Sequence, residues 1–237
     1  MTGSLVTPAA RQRVRKLATP VAVALGRLGL SPDALTVLGF VGTAVAAVAA
    51  ANQLWVAAGV LALGFGVFDL FDGALARVTG RASNLGAFMD SVFDRAGEAL
   101  LYLGIVAGLG SAGWVDAPLF AAAAMAAAFM VSYTRAKSEG LGFTSGTGMA
   151  AVGIMPREVR LVILAVGLVA GGIIGTTIET SCATCAGGAA LPMGILVIQY
   201  ALGLIALGGT ITVIQRVLHV RAQAAANKSA NQPRSNA

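Results

Sequence analysis

The polar and apolar positions of this chain fall into long blocks. Six apolar stretches, near 34–52, 55–77, 86–109, 117–137, 158–178 and 190–216, match the length of about 20 residues that crosses a hydrocarbon core. Turn and charge signals bound most of them. Ser31, Pro32 and Asp33 precede the first, Gly80, Arg81, Ala82, Ser83 and Asn84 separate the second from the third, and Pro156 precedes the fifth. Ahead of the first block the period changes: Val14, Leu17, Val21, Leu25 and Leu28 recur at three- and four-residue steps, with Arg11, Arg15 and Arg27 largely off that stripe. This periodicity predicts an amphipathic helix lying in the membrane interface. Arg27 interrupts the apolar run, which argues against a signal peptide. The expected fold class is all-α integral membrane, with six transmembrane helices and an N-terminal amphipathic interfacial helix. Residues 1–33 are read as the N-terminal segment, 34–218 as the membrane domain and 219–237 as a polar tail expected to be disordered.

Composition supports the membrane reading. The 237 residues are 57% hydrophobic and 11% charged, whereas about a quarter of a soluble domain is charged. Ala and the 31 Gly residues outweigh the large aromatics, as suits helices that pack closely through small side chains. Charge placement sets the orientation. Arg11, Arg13, Arg15, Lys16 and Arg27 precede the first block, Arg81 follows the second, and Arg135, Lys137, Arg157 and Arg160 flank the link between the fourth and fifth. Arg216, Arg221, Lys228 and Arg234 end or follow the sixth, while the alternate loops near 52–54, 110–116 and 179–189 hold no Lys or Arg. By the positive-inside rule both termini and every basic loop are cytoplasmic; for a bacterial source the compartment is the inner cell membrane. The net charge of +6 is thus a topology signal with some attraction to anionic lipid, and it gives no ground for nucleic acid as a partner. Cys182 and Cys185 are the only cysteines; a local disulfide across their outer loop is expected, and no disulfide framework. His219, the single histidine, is read as a surface residue.

The chemistry is concentrated between Asp69 and Asp94, which spell D-x-x-D-G-x-x-A-R, eight further residues, and G-x-x-x-D-x-x-x-D. A charge at a bilayer centre costs roughly 2.5–3.5 kcal/mol, so four neighbouring carboxylates need a positive counterpart. One or two divalent cations are the simplest. Asp69 and Asp72 are three apart and Asp90 and Asp94 four apart, so each pair shares a helix face. Both pairs lie toward the cytoplasmic ends of their helices, where a short loop lets the faces converge. Gly73 and Gly86 would expose backbone to a bulky phosphorylated ligand, and Arg77 would supply a guanidinium for phosphate or carboxylate. Glu98, another four residues along, and Arg95 would orient the site or form a buried ion pair.

At these residues the chain resembles the CDP-alcohol phosphotransferases: Asp69, Asp72, Gly73, Ala76, Arg77, Gly86, Asp90 and Asp94 match that signature without gap or substitution. The run from Gly29 to Thr36 also looks like the family's. The resemblance implies a transferase that moves a phosphoalkyl group from a CDP-linked donor to an alcohol and releases CMP. It further implies that Asp69, Asp72 and Asp90 hold one Mg²⁺ or Mn²⁺ ion, that Asp72, Asp90 and Asp94 contact a second, and that Asp94 is the general base. Ser31, Pro32, Asp33, Ala34, Gly73, Ala76, Arg77, Ser83 and Gly86 correspond to donor-binding positions, and a homodimer is implied. CDP-diacylglycerol is the expected donor, its tails remaining in the bilayer.

Arg135, Lys137, Arg157, Arg160 and Arg216 are expected to gather at one cytoplasmic level and bind a phosphorylated acceptor. There the chain resembles the actinobacterial phosphatidylinositol phosphate synthases within that family. Their S-Y-x-[KR]-A-[KR] is matched from Ser132 to Lys137, their spaced arginine pair by Arg157 and Arg160, and their Q-R by Gln215 and Arg216. One segment departs: the R-P-E-R-L of that group reads Arg157-Glu158-Val159-Arg160-Leu161 here. Inositol phosphate is the implied acceptor, with glycerol 3-phosphate, serine and inositol as alternatives. Outside this class, a cation-binding transporter or an inactive scaffold would also place acids in a membrane.

Overall fold

A computed structural model of the protein describes residues 8–111, 116–143, 152–181 and 193–230. These fold into eight helices, α1 (Pro8–Arg27), α2 (Pro32–Ala51), α3 (Trp55–Gly66), α4 (Phe68–Val78), α5 (Asn84–Ser111), α6 (Ala117–Gly140), α7 (Arg157–Ser181) and α8 (Met193–Ala230). No strand occurs among the described residues. The predicted start of the first block is an N-cap: Ser31 Oγ accepts from Ala34 N at 3.1 Å, Pro32 opens α2 and Asp33 sits in its first turn.

Five segments are long and apolar enough to cross a membrane: Pro32–Ala51, Trp55–Val78, Ala117–Gly140, Arg157–Gly175 and Met193–Lys228. The remaining expected span, α5, has 28 residues and ample length, but Asp90, Asp94, Arg95 and Glu98 set it apart from the others. The second block is broken once, at Val67, whose φ of −75° and ψ of −22° keep the chain direction from α3 into α4. Gly64 and Gly66 weaken the helix just before the break, and Gly66 leaves room for Leu161 of α7. α8 runs 38 residues, so 219–230, assigned to the polar tail from sequence, are helical. Ala222, Gln223, Ala224, Ala225 and Ala226 are strong helix formers, which explains the extension. Cys182 and Cys185 lie outside the described residues.

The packing puts small residues inside and large ones outside. Ala46, Ala50, Ala58, Ala62, Ala121, Ala124 and Ala128 line the core with Leu101, Tyr102, Ile105, Leu168 and Leu202. Gly104 and Gly108, one turn apart on α5, lie directly against the backbone carbonyls of Ala47 and Ala50 on α2. Gly59 approaches Ala165 of α7 in the same way, and Gly171 faces Gly194 of α8. Val37, Val41, Val45 and Val48 of α2, with Leu204, Leu207, Ile211 and Ile214 of α8, point outward. So continuous an apolar exterior is stable in lipid and a liability in water. The protein is a multi-pass membrane protein.

The N-terminal helix docks through its small residues together with Leu25 of the predicted stripe. Ala22 is buried with Leu35, Ala74 and Leu75, and Gly26 admits the Leu75 side chain. Leu17, Val21 and Leu28 face outward. His219 Nε2 lies 3.0 Å from Gln223 Nε2, one turn further along α8.

Close approach at Gly104 carries a prediction. Gly104→Leu should lower the thermal midpoint in detergent, with about 1–3 kcal/mol of stability lost to overpacking. Gly110→Ala, which meets nothing within 4 Å, should leave it unchanged or raise it, since alanine suits a helix better than glycine. Equal behaviour of the two variants would contradict the α2–α5 packing.

Candidate active site

The four aspartates arrive on two helices that both pack on α2, α4 leaning equally on α1, rather than chiefly on each other. α4 carries Asp69 and Asp72; α5 carries Asp90 and Asp94. The turn between them is set by Gly80, at φ 67°, and by Ser83, whose Oγ accepts from Gly86 N at 3.0 Å. Gly80 provides the left-handed residue that ends α4, and Arg81 N closes back on Ala76 O at 2.9 Å. Two short helix ends are thereby brought to the same level beside the start of α2.

One carboxylate oxygen from each of Asp69, Asp72 and Asp90 lies within 4.8 Å of the others. Asp72 is only 5% exposed, and its Oδ2 accepts from Thr36 Oγ1 of α2 at 2.7 Å. Asp90 Oδ1 is buried without a hydrogen-bond partner. Asp94 completes the group through Arg157, the first residue of α7: its Nη1 donates to Asp69 Oδ2 at 2.6 Å and lies 2.7 Å from Asp94 Oδ2. The surrounding cleft, about 350 Å³, is otherwise walled by apolar groups such as Leu35, Phe40, Phe65 and Phe93. Hard oxygen donors, the orphaned Asp90 oxygen and a surplus of acid over base all fit a divalent cation held by Asp69, Asp72 and Asp90.

None of the residues assigned to a CDP-linked donor lines this cleft; they lie at the start of α2, along α4 and at the start of α5. Ser31 and Ser83 serve as caps of α2 and α5, with their hydroxyls engaged by Ala34 N and Gly86 N. Pro32, Asp33 and Ala34 form the first turn of α2. Gly73 and Ala76 lie on α4, and Arg77 folds back so that its Nη1 is 3.4 Å from where a Cβ on Gly73 would stand.

The five basic residues do not share one situation. Arg157 is engaged by the aspartates. Arg160 is 1% exposed and grips Glu98 through Nε and Nη2, with N–O separations of 2.9–3.1 Å, while its Nη1 donates to Met155 O at 3.2 Å. Glu98 also takes Arg95 Nη1 at 2.5 Å, and that nitrogen reaches Ser132 Oγ at 2.7 Å. Arg216, 4% exposed, donates to the backbone carbonyls of Val152 and Val131. Thr212 adds to this anchor by accepting from Met155 N at 3.0 Å. Arg135 is exposed and paired with Glu139 at 3.0 Å, and Lys137 is exposed. Nothing local in the sequence marks which face of α2 meets Asp72, so the part played by Thr36 emerges only in the fold.

Fold and site together define a multi-pass membrane protein with a carboxylate-walled cleft suited to a divalent cation. Residues 29–220 match the CDP-alcohol phosphatidyltransferase family, and the chain belongs to that family and is a transferase. It is 34% identical to the phosphatidylinositol phosphate synthase of Streptomyces avermitilis over 223 residues, 91% of this chain and 82% of that one. It is 36% identical to the archaetidylinositol phosphate synthase of Pyrococcus horikoshii over 155 residues, 65% of this chain and 77% of the relative. The fold superposes with a TM-score of 0.68 on a Mycobacterium tuberculosis phosphatidylinositol phosphate synthase crystallised with manganese and citrate, at 25% identity over 86% of this chain and 88% of that one.

Glu98→Ala would strip the carboxylate from Arg95 and Arg160 together. Stability in detergent should fall by about 3–5 kcal/mol, the cost of orphaning a buried charge. A loss within about 1 kcal/mol, typical of an exposed pair, would show that this network does not hold the helices.

Proposed function

We propose that the protein transfers a phosphatidyl group from CDP-diacylglycerol to a hydroxyl of inositol phosphate, releasing CMP and forming phosphatidylinositol phosphate. The observation that carries the reading is the convergence of Asp69, Asp72, Asp90 and Asp94 in one cleft. The names of the relatives from Streptomyces avermitilis and Pyrococcus horikoshii support the acceptor, since they share inositol phosphate while differing in the lipid part.

In this reading the cleft opens to the cytoplasm at the inner leaflet, with both termini cytoplasmic, α1 in the interface and α5 as the third of six spans. The diacyl tails stay beside the outward-facing valines and leucines while the headgroup enters between α2, α4 and α5. Ser31 and Ser83 hold the N-termini of α2 and α5 in register, where backbone N–H groups favour an anionic pyrophosphate. Gly73 and Gly86 keep side chains out of its path, and Arg77 meets a phosphate oxygen. Mg²⁺ or Mn²⁺, two ions in the full site, would neutralise the pyrophosphate and stabilise departing CMP. Asp94 takes the proton from the acceptor hydroxyl as its oxygen bonds to the lipid-side phosphorus and the bond to CMP breaks. Arg135, Lys137 and Arg157 bind the acceptor's phosphate; Arg160 and Arg216, already engaged, hold the surrounding segments. A homodimer belongs to this reading on the family resemblance alone.

The test is CMP release by purified protein with CDP-diacylglycerol and Mg²⁺ or Mn²⁺, comparing inositol phosphate, inositol, glycerol 3-phosphate and serine. Turnover with inositol phosphate is expected. Turnover with glycerol 3-phosphate instead would change the acceptor and keep the basic residues as phosphate ligands, turnover confined to inositol or serine would reject them in that role, and no turnover with any would point to a different CDP-linked donor. Asp94→Asn, which preserves volume, should retain CDP-lipid binding while CMP release falls at least about 100-fold. Activity near that of the parent would remove Asp94 from its role.

A further inference from the structure

Arg157 stands where the two halves of the acid cluster meet. Its Nη1 contacts Asp69 of α4 and Asp94 of α5 at 2.6 and 2.7 Å, and those helices pack on α2, and α4 also on α1, rather than chiefly on each other. Asp69 belongs to two arrangements at once: the Asp69–Asp72–Asp90 oxygens that suit a cation, and the pair of carboxylates bridged by the guanidinium. A carboxylate oxygen committed to a short charge-assisted bond is a poorer ligand for a metal ion.

The charge balance makes the two occupants rivals. One guanidinium leaves four carboxylates acidic, so a first divalent cation is still attracted. A first such cation competes with the guanidinium for Asp69, and two would balance the four carboxylates by themselves, leaving the guanidinium as surplus positive charge in a site of low dielectric. The local structure allows the side chain alone to leave. Arg160 is clamped by Glu98 and by Met155 O, which fixes the first turn of α7. The Arg157 side chain, 25% exposed, has an open side along the cleft.

The geometry points to Arg157 as a resident counter-charge that holds Asp69 and Asp94 in the cation-free protein and is displaced when the divalent cation enters. Displacement frees the guanidinium for an anion, so loading the cation also prepares the group that meets a phosphorylated acceptor. The inference rests on the acid cluster being the cation site, as the proposed function requires, but its test does not depend on which acceptor is used.

The experiment is Mn²⁺ binding to purified full-length protein by isothermal titration calorimetry, comparing the parent, Arg157→Gln and Arg157→Lys. Arg157→Gln should bind Mn²⁺ about tenfold more tightly, which at 25 °C corresponds to about 1.4 kcal/mol, with Arg157→Lys between. Damage to the fold would weaken binding instead, so tightening distinguishes competition from a structural role. Unchanged or weaker binding in Arg157→Gln would overturn the inference while leaving the cation site intact. No binding to the parent would overturn the cation site and this inference together. Should Arg157→Gln not fold, crystal structures of the parent with chelator and with Mn²⁺ decide the matter. The guanidinium should bridge Asp69 and Asp94 in the first and lie beyond hydrogen-bonding reach of both in the second; a bridge retained with Mn²⁺ bound would overturn the inference.

Discussion

Four carboxylates in a cleft walled by phenylalanine and leucine cannot be left without positive charge, and much of the structure around them answers that requirement. Charge repulsion and desolvation both act against the cluster. Thr36 supplies a hydrogen bond to Asp72 and Arg157 an ion pair to Asp69 and Asp94. Neither reaches Asp90 Oδ1, which is buried and unpaired. An incompletely satisfied acid in such a place is costly in a purely structural setting and useful in one that receives a cation.

The second constraint is distance. Polar groups on α4, α5 and α7 can meet only if their helices approach closely, and lipid offers no hydrophobic drive to force them together. Close approach is obtained by removing side chains. Gly104 and Gly108 set α5 on the backbone of α2, Gly66 admits Leu161, and Gly59 sets α3 against α7. The same geometry pushes the bulky aliphatic residues to the outside, where they face hydrocarbon. Packing and topology are therefore one solution: the glycines that close the interior also place the acids at a common level.

The local parts of this arrangement were legible in the sequence. Ser31 as a cap, the shared faces of the aspartate pairs, the Gly80–Ser83 turn and the small-residue packing follow from residue type and spacing. The break at Val67 was not, because Gly64 and Gly66 read equally well as packing residues within one continuous span. Nor was the continuation of α8 through Ala230, since an alanine-rich polar stretch is compatible with both helix and tail. Thr36 and the partners of Arg160 and Arg216 depend on contacts between residues 36, 62, 64 and 85 positions apart. No periodicity encodes those contacts.

The basic residues illustrate the difference most sharply. A run of Arg and Lys at the helix ends on one side of a membrane is what topology alone would produce, so sequence alone treats its members alike. Burial separates them. Arg160 is held by Glu98 and Met155 O, and Arg216 is held by two backbone carbonyls through Nε and Nη1, so both are engaged within the protein. Arg157, three residues before Arg160, differs in that its partners are the very acids that invite another cation. One turn of α7 therefore contains both a fixed arginine and one whose pairing is open to competition. The clamp on Arg160 is what makes competition at Arg157 a side-chain event: with the helix start held, exchanging a guanidinium for a metal ion at Asp69 and Asp94 need not disturb the glycine-mediated packing on which the site depends.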